Sequence, residues 1–181
     1  MTTVTPDLDR WIGSPAMRVS HRRGSSASPE LLWRCAQDVR VRDTGLLGRL
    51  VRWRLPGTPL ELRFGELFRQ PPFVVLEDDH ELALLSGMVG RIWTLRRDYP
   101  SLAGPDEFLE WSQQGTAKVV FAHWVEVLDD GRCALASESR VQPVGVQGRF
   151  GVRAVRPLVR AFGHLVGSEG VAAAVRLAES G

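Results

Sequence analysis

The chain has 181 residues, 44% hydrophobic and 24% charged, a balance that excludes a disordered or fibrous protein and is enough for one domain with a sizeable core. A formal net charge of +2 is too small to mark a nucleic-acid partner without a concentrated patch. No apolar run approaches the roughly 20 residues that cross a bilayer, and the first ten residues are polar, with Asp7 and Asp9, so a soluble cytoplasmic protein with no stable membrane insertion is expected.

Residues 1–15 carry turn formers and Pro15 and read as a loosely docked tail, with Trp11 and Ile12 free to pack on the body; residues 16–181 then form a single domain. From Ala16 to Arg23, Met17, Val19 and His21 alternate with Arg18, Ser20 and Arg22, the pattern of a strand with one buried face. After Gly24-Ser25-Ser26, the run Ser28-Pro29-Glu30 opens a helix: serine caps, proline suits the first helical position and glutamate favours the positive helix end. A second short helix is predicted from Thr44 to Arg54, with Leu46, Leu47, Leu50, Val51 and Trp53 inside and Arg49, Arg52 and Arg54 outside, stopped by Pro56-Gly57.

From Pro72 the pattern changes to strands. Phe73 to Glu77 and Glu81 to Ser86 flank Asp78-Asp79-His80 as a hairpin, and Gly87 and Gly90 mark a bulge or a close approach by another group. Asp106 to Gln113, entered through Pro105, is a short helix. Two long alternating stretches follow, Lys118 to Val127 and Cys133 to Val141, turning at Asp129-Asp130-Gly131. The last segment, Arg149 to Leu177, is one amphipathic helix: Val155, Leu158 and Phe162 form an apolar stripe opposite Arg149, Arg153, Arg156 and Arg160. Pro157 is expected to kink it, and Gly163, Gly167 and Gly170 to weaken its end, either as a hinge or to allow close packing.

This order of elements resembles the START-like (SRPBCC) helix-grip superfamily, and most closely a polyketide-cyclase-like bacterial subgroup. The likeness is carried by Ser28-Pro29-Glu30-Leu31-Leu32-Trp33, Gly115-Thr116-Ala117-Lys118, Ser137-Glu138-Ser139-Arg140-Val141 and Val155-Arg156-Pro157-Leu158, and covers nearly the whole chain from Ala16 to Leu177. It implies an α+β helix-grip fold: a curved antiparallel sheet wrapped around a long C-terminal helix, with two short helices after the first strand. It also implies a cavity between sheet and helix for a small hydrophobic, lipid-like or polyketide-like molecule. The superfamily has no shared catalytic set to carry onto positions here.

No sequence signature of an enzyme stands beside this resemblance. The phosphate-cradling loop, the dinucleotide fingerprint, the His-Glu-x-x-His zinc motif and the nucleophile elbow are all missing, and no cofactor is implied. His21, His80, His123 and His164 occur singly on different elements, so no metal site is read; Cys35 and Cys133, outside any C-x-x-C, fit packed thiols in a reducing compartment.

His123 shares a strand face with the apolar Val119, Phe121, Val125 and Val127, so it either points into the cavity or is a hydrogen-bonded core histidine. Ser137 and Ser139 share the next strand's face with Leu135 and Val141, as polar anchors of the pocket or as hydroxyls satisfied by backbone. The expected lining is therefore Phe121, His123, Val125, Ser137, Ser139, Val155, Leu158 and Phe162. Lys118, Glu138 and Arg140 fall on the opposite parity, the convex face, where they read as cross-strand ion pairs. Ligand binding is the leading function. A cyclase or aromatase using His123 as acid or base is the alternative, and a third reading takes the basic faces as contacts for anionic lipid or an acidic partner. A homodimer is left open.

Overall fold

The computed structural model describes residues 5–79, 82–96, 99–128 and 131–180, with the backbone alone at Asp79 and over 161–167. The protein is α+β. Its strands are β1 (Met17–Ser25), β2 (Val74–Asp79), β3 (Ala83–Gly90), β4 (Thr116–Val127) and β5 (Cys133–Val144). They form one antiparallel sheet in the order β1-β5-β4-β3-β2. The helices are α1 (Leu8–Ile12), α2 (Pro29–Asp38), α3 (Leu46–Arg54), α4 (Phe64–Leu67), α5 (Pro105–Glu110) and α6 (Gly145–Glu179), with a 3-10 turn at Val41–Asp43. The four-residue α4 and the 3-10 turn lie in stretches too short to show a helical period.

Three layers result. α6 and α2 cover one sheet face, with α3 packed against α6, and α1 and α5 cover the other. Ser28 caps α2 as predicted, its hydroxyl accepting from the Leu31 amide at 3.3 Å, with Pro29 in the first turn. α3 begins at Gly45, which has no side chain to cap with, and the closing helix supplies the cap. The Glu169 carboxylate accepts from the Leu46 and Leu47 amides at 3.1 and 2.8 Å, joining the two helices end to side. At the far end of α6, Glu179 accepts from Ser25 Oγ and the Ser26 amide, which fixes the helix to the end of β1.

The stretch read as a loosely docked tail contains α1, and its Trp11 and Ile12 do pack on the body. Leu8, Trp11 and Ile12 are buried against the sheet, Trp11 meets Phe108 of α5 edge to face at 6.2 Å, and its indole donates to Glu77 at 2.7 Å. The physical cause is the sheet's second face, which is not a solvated convex surface. Val120, Ala122, Leu85 and Val89 make it apolar, so it needs a cover.

Lys118, Glu138 and Arg140 are consequently buried there. Arg140 Nε donates to Glu138 Oε1 at 2.6 Å, and its Nη1 donates to Asp9 at 2.5 Å and to the Ile12 carbonyl at 2.8 Å; Arg18 reaches Glu138 at 2.7 Å from the solvent side. The expected ion pairing is present, but it clamps α1 to β5 as well as crossing strands. Burial by itself lowers the Arg140 pKa, and the hydrogen bonds and charges of Asp9 and Glu138 outweigh it, so the net shift is upward. Lys118 takes a different partner: its ammonium donates to the Leu109 carbonyl at 3.1 Å over the Phe108 ring, and desolvation lowers its pKa.

Gly87 is a site of close approach, as its position within a strand predicts: a Cβ there would stand 2.7 Å from the Phe108 ring, so α5 can lie on the sheet only if this residue is glycine. The irregularity in the β2–β3 pairing falls between Val75 and Glu77 instead. Gly131 takes φ +79° in the β4–β5 turn; residues 129 and 130 of that turn, and His80 of the β2–β3 turn, lie outside the described residues. α6 runs unbroken through Pro157.

Candidate functional site

On the sheet face toward α6, the pairing register builds rows of side chains across four strands. Met17, Val141, Val119 and Met88 form one row; His21, Ser137, His123 and Leu84 form the next but one, with Ser139 and Phe121 paired between them. This face does not close against α6. A cavity of about 780 Å3 lies between them, within the range of small-molecule sites. It is room left by small residues on both walls, Ser137 and Ser139 on the sheet and Gly170 and Ala174 on the helix.

Aromatic rings form one side of the cavity. Phe68, from the turn after α4, packs at 5.1 Å from Phe73, 5.5 Å from Phe121 and 4.8 Å from His123. Ser86 Oγ holds the Phe68 carbonyl at 2.7 Å and so sets the height of that ring above the sheet. Trp93 closes another side against α6. Gly151 lies directly on its indole, with no space between for a Cβ.

Of the expected lining residues, Phe121, His123, Ser137, Ser139, Val155 and Leu158 do line the cavity. Val125 does not: it is 1% exposed and packed solid in the core beneath α2 with Leu32, Leu84, Cys133 and Leu135. Alternation gave its face correctly but not where along the strand the cavity ends. Phe162 and His164 lie outside the described side chains. The inward stripe of α6 is Val152, Val155 and Val159, at spacings of three and four, while Leu158 is 60% exposed at the cavity rim.

α3 departs further from its expected arrangement. Leu46, Leu50 and Trp53, predicted inside, are 40–47% exposed and form part of the rim together with Leu95. Arg54, predicted outside, turns in. Its guanidinium donates to the Thr94 carbonyl at 2.8 Å, the Ile92 carbonyl at 3.2 Å and the Tyr99 hydroxyl, flanked by the Trp53 and Tyr99 rings at 5.3 and 5.4 Å. Helical period could not reveal this, because Arg54 is the last helical residue and its partners come from a loop some 40 positions on.

The electrostatics are simple. Desolvation lowers the His123 pKa from 6.5 to about 4, so the imidazole is neutral at physiological pH. Among the described residues neither its ring nitrogens nor the Ser137 and Ser139 hydroxyls have a hydrogen-bond partner, and no carboxylate lines the cavity. Arg54 is the charged residue of the described wall. The Cys35 and Cys133 thiols lie outside the lining, and burial raises both pKa values, so neither is a ready nucleophile. Among the described residues no group of three His, Cys, Asp or Glu side chains could hold a metal ion, and no helix is long and apolar enough to cross a membrane.

No family model matches the chain, and no curated protein matches it. Among solved structures it is similar to the crystal structure of a hypothetical protein from Helicobacter pylori, at 12% identity over 98% of this chain and 97% of that one, with a TM-score of 0.47.

Proposed function

We propose that this protein binds a small, mostly apolar molecule between the sheet and α6, as a divergent member of the START-like helix-grip superfamily. The observation that carries the reading is the cavity itself: about 780 Å3, walled by apolar and aromatic side chains, with one neutral imidazole and two hydroxyls that have no partner among the described residues. Such groups orient a ligand carbonyl or hydroxyl. A cyclase or aromatase would need an acid, a base and an oxyanion donor converging on one point, and a histidine held near pKa 4, with no carboxylate among the described lining residues, is a weak proton acceptor at neutral pH.

The test is native mass spectrometry of the purified protein, followed by titration of whatever co-purifies into two variants. Ser139→Trp, which fills the cavity from the sheet side, is expected to abolish binding while the protein stays folded. His123→Gln is expected to weaken binding by about one hydrogen bond, on the order of 1 kcal/mol. Undiminished binding to Ser139→Trp would remove the cavity from consideration. A turnover that falls roughly 100-fold in His123→Gln with binding intact would establish catalysis instead.

A further inference from the structure

The cavity reading leaves Arg54 unused, and a guanidinium in an apolar wall calls for a reason. Its positive charge is met, among the described residues, by dipoles alone: two loop carbonyls, a phenol oxygen and two ring faces. Among the described residues it makes no ion pair, whereas the buried Arg140 pairs with both Asp9 and Glu138. Of its five N–H donors three are used, which leaves two without an acceptor among the described residues. The residue is nevertheless held firmly, because its acceptors come from the loop after β3 and from Tyr99, and the two aromatic rings fix its plane. Arg54 also lines a second cavity, of about 430 Å3, shared with Leu55, Leu67 and Tyr99, so it stands where the two spaces adjoin.

We propose that Arg54 is the head-group site of the cavity and that the ligand is an amphiphile with an acidic, carboxylate-class head, its apolar body lying along Phe121, Val119 and Val155. This rests on the cavity's being a binding site and specifies what it takes. A fixed cation with free donors in a low-dielectric wall stabilises a single negative charge far more than it would in water. One arginine with two free donors matches a monoanion; a dianionic phosphate would leave a charge unmet, because no second cation lines the described wall. His123, Ser137 and Ser139 are then left for a polar group farther along the ligand.

The test uses the full chain and a matched pair of probes, dodecanoate and 1-dodecanol, each displacing the neutral dye Nile red at pH 8 and low salt. The wild-type protein is expected to bind dodecanoate about tenfold or more tightly than dodecanol. Arg54→Gln is expected to erase that preference by weakening dodecanoate while leaving dodecanol unchanged, and Arg54→Lys to restore part of it. Equal affinity of the wild-type protein for the two probes would overturn the acidic head group and leave the cavity reading standing, a result that does not depend on the variant's folding. An Arg54→Gln variant that kept the full preference would also overturn it. If neither probe nor the dye bound, the cavity reading would fall, and the head-group site with it.

Discussion

Arg140→Ala is expected to destabilise the protein by about 3–5 kcal/mol, the cost of leaving a buried charge without its partner. Glu138 is 3% exposed and would keep only Arg18, which approaches from solvent; the Ile12 carbonyl would lose its donor and Asp9 its hold on the sheet. α1 should therefore detach locally before the sheet unfolds. Urea denaturation gives the loss in stability, and hydrogen exchange at Trp11 and Ile12 gives the detachment. The double variant Arg140→Met, Glu138→Leu is expected to recover most of the loss, because removing both charges removes the desolvation cost together with the attraction. A single variant as stable as wild type would mean that α1 is held by Leu8, Trp11 and Ile12 alone.

The second large effect is on pH dependence. His123 has a folded-state pKa of about 4, below its ordinary 6.5. Between those values the unfolded chain takes up a proton that the folded protein refuses, so the stability this residue contributes is complete above pH 6.5 and is lost as pH falls toward 4. The linked loss is about 3 kcal/mol. Urea midpoints measured from pH 7 to pH 4 should fall more steeply for wild type than for His123→Gln, which has no proton to gain. Parallel curves would mean that water in the cavity solvates the imidazolium well enough to cancel the desolvation.

The elements were legible in the sequence because most of them announce themselves by period and punctuation: Ser28-Pro29 opening α2, the alternation of β4 and β5, Pro105 entering α5. The polar face of the site was legible too, since parity alone placed His123 with Phe121 and Ser137 with Ser139. What stayed hidden was set by contacts between distant segments. Trp11 and Ile12 were legible as residues able to pack on the body, but not the surface they cover; the sign of that second covered face lay in Val120, Ala122 and Trp124, which are apolar and share the parity of Lys118. Arg54 and Phe68 belong to the site through a loop and a turn, where no periodicity operates. Val125 was misplaced along its strand because alternation assigns a side and is silent about how far a void extends.

The placement of the tryptophans has a practical consequence. Of the six indoles only Trp53 and Trp93 stand in the cavity wall, one at the rim and one against Gly151, while Trp11, Trp33, Trp111 and Trp124 are packed elsewhere. Four emitters thus supply a constant background, and two sit where an incoming molecule replaces water. Occupancy should be readable as a blue shift in intrinsic fluorescence, with no label attached. The shift should shrink in Trp53→Phe and in Trp93→Phe, and its division between them would report whether the molecule lies at the threshold or deep inside.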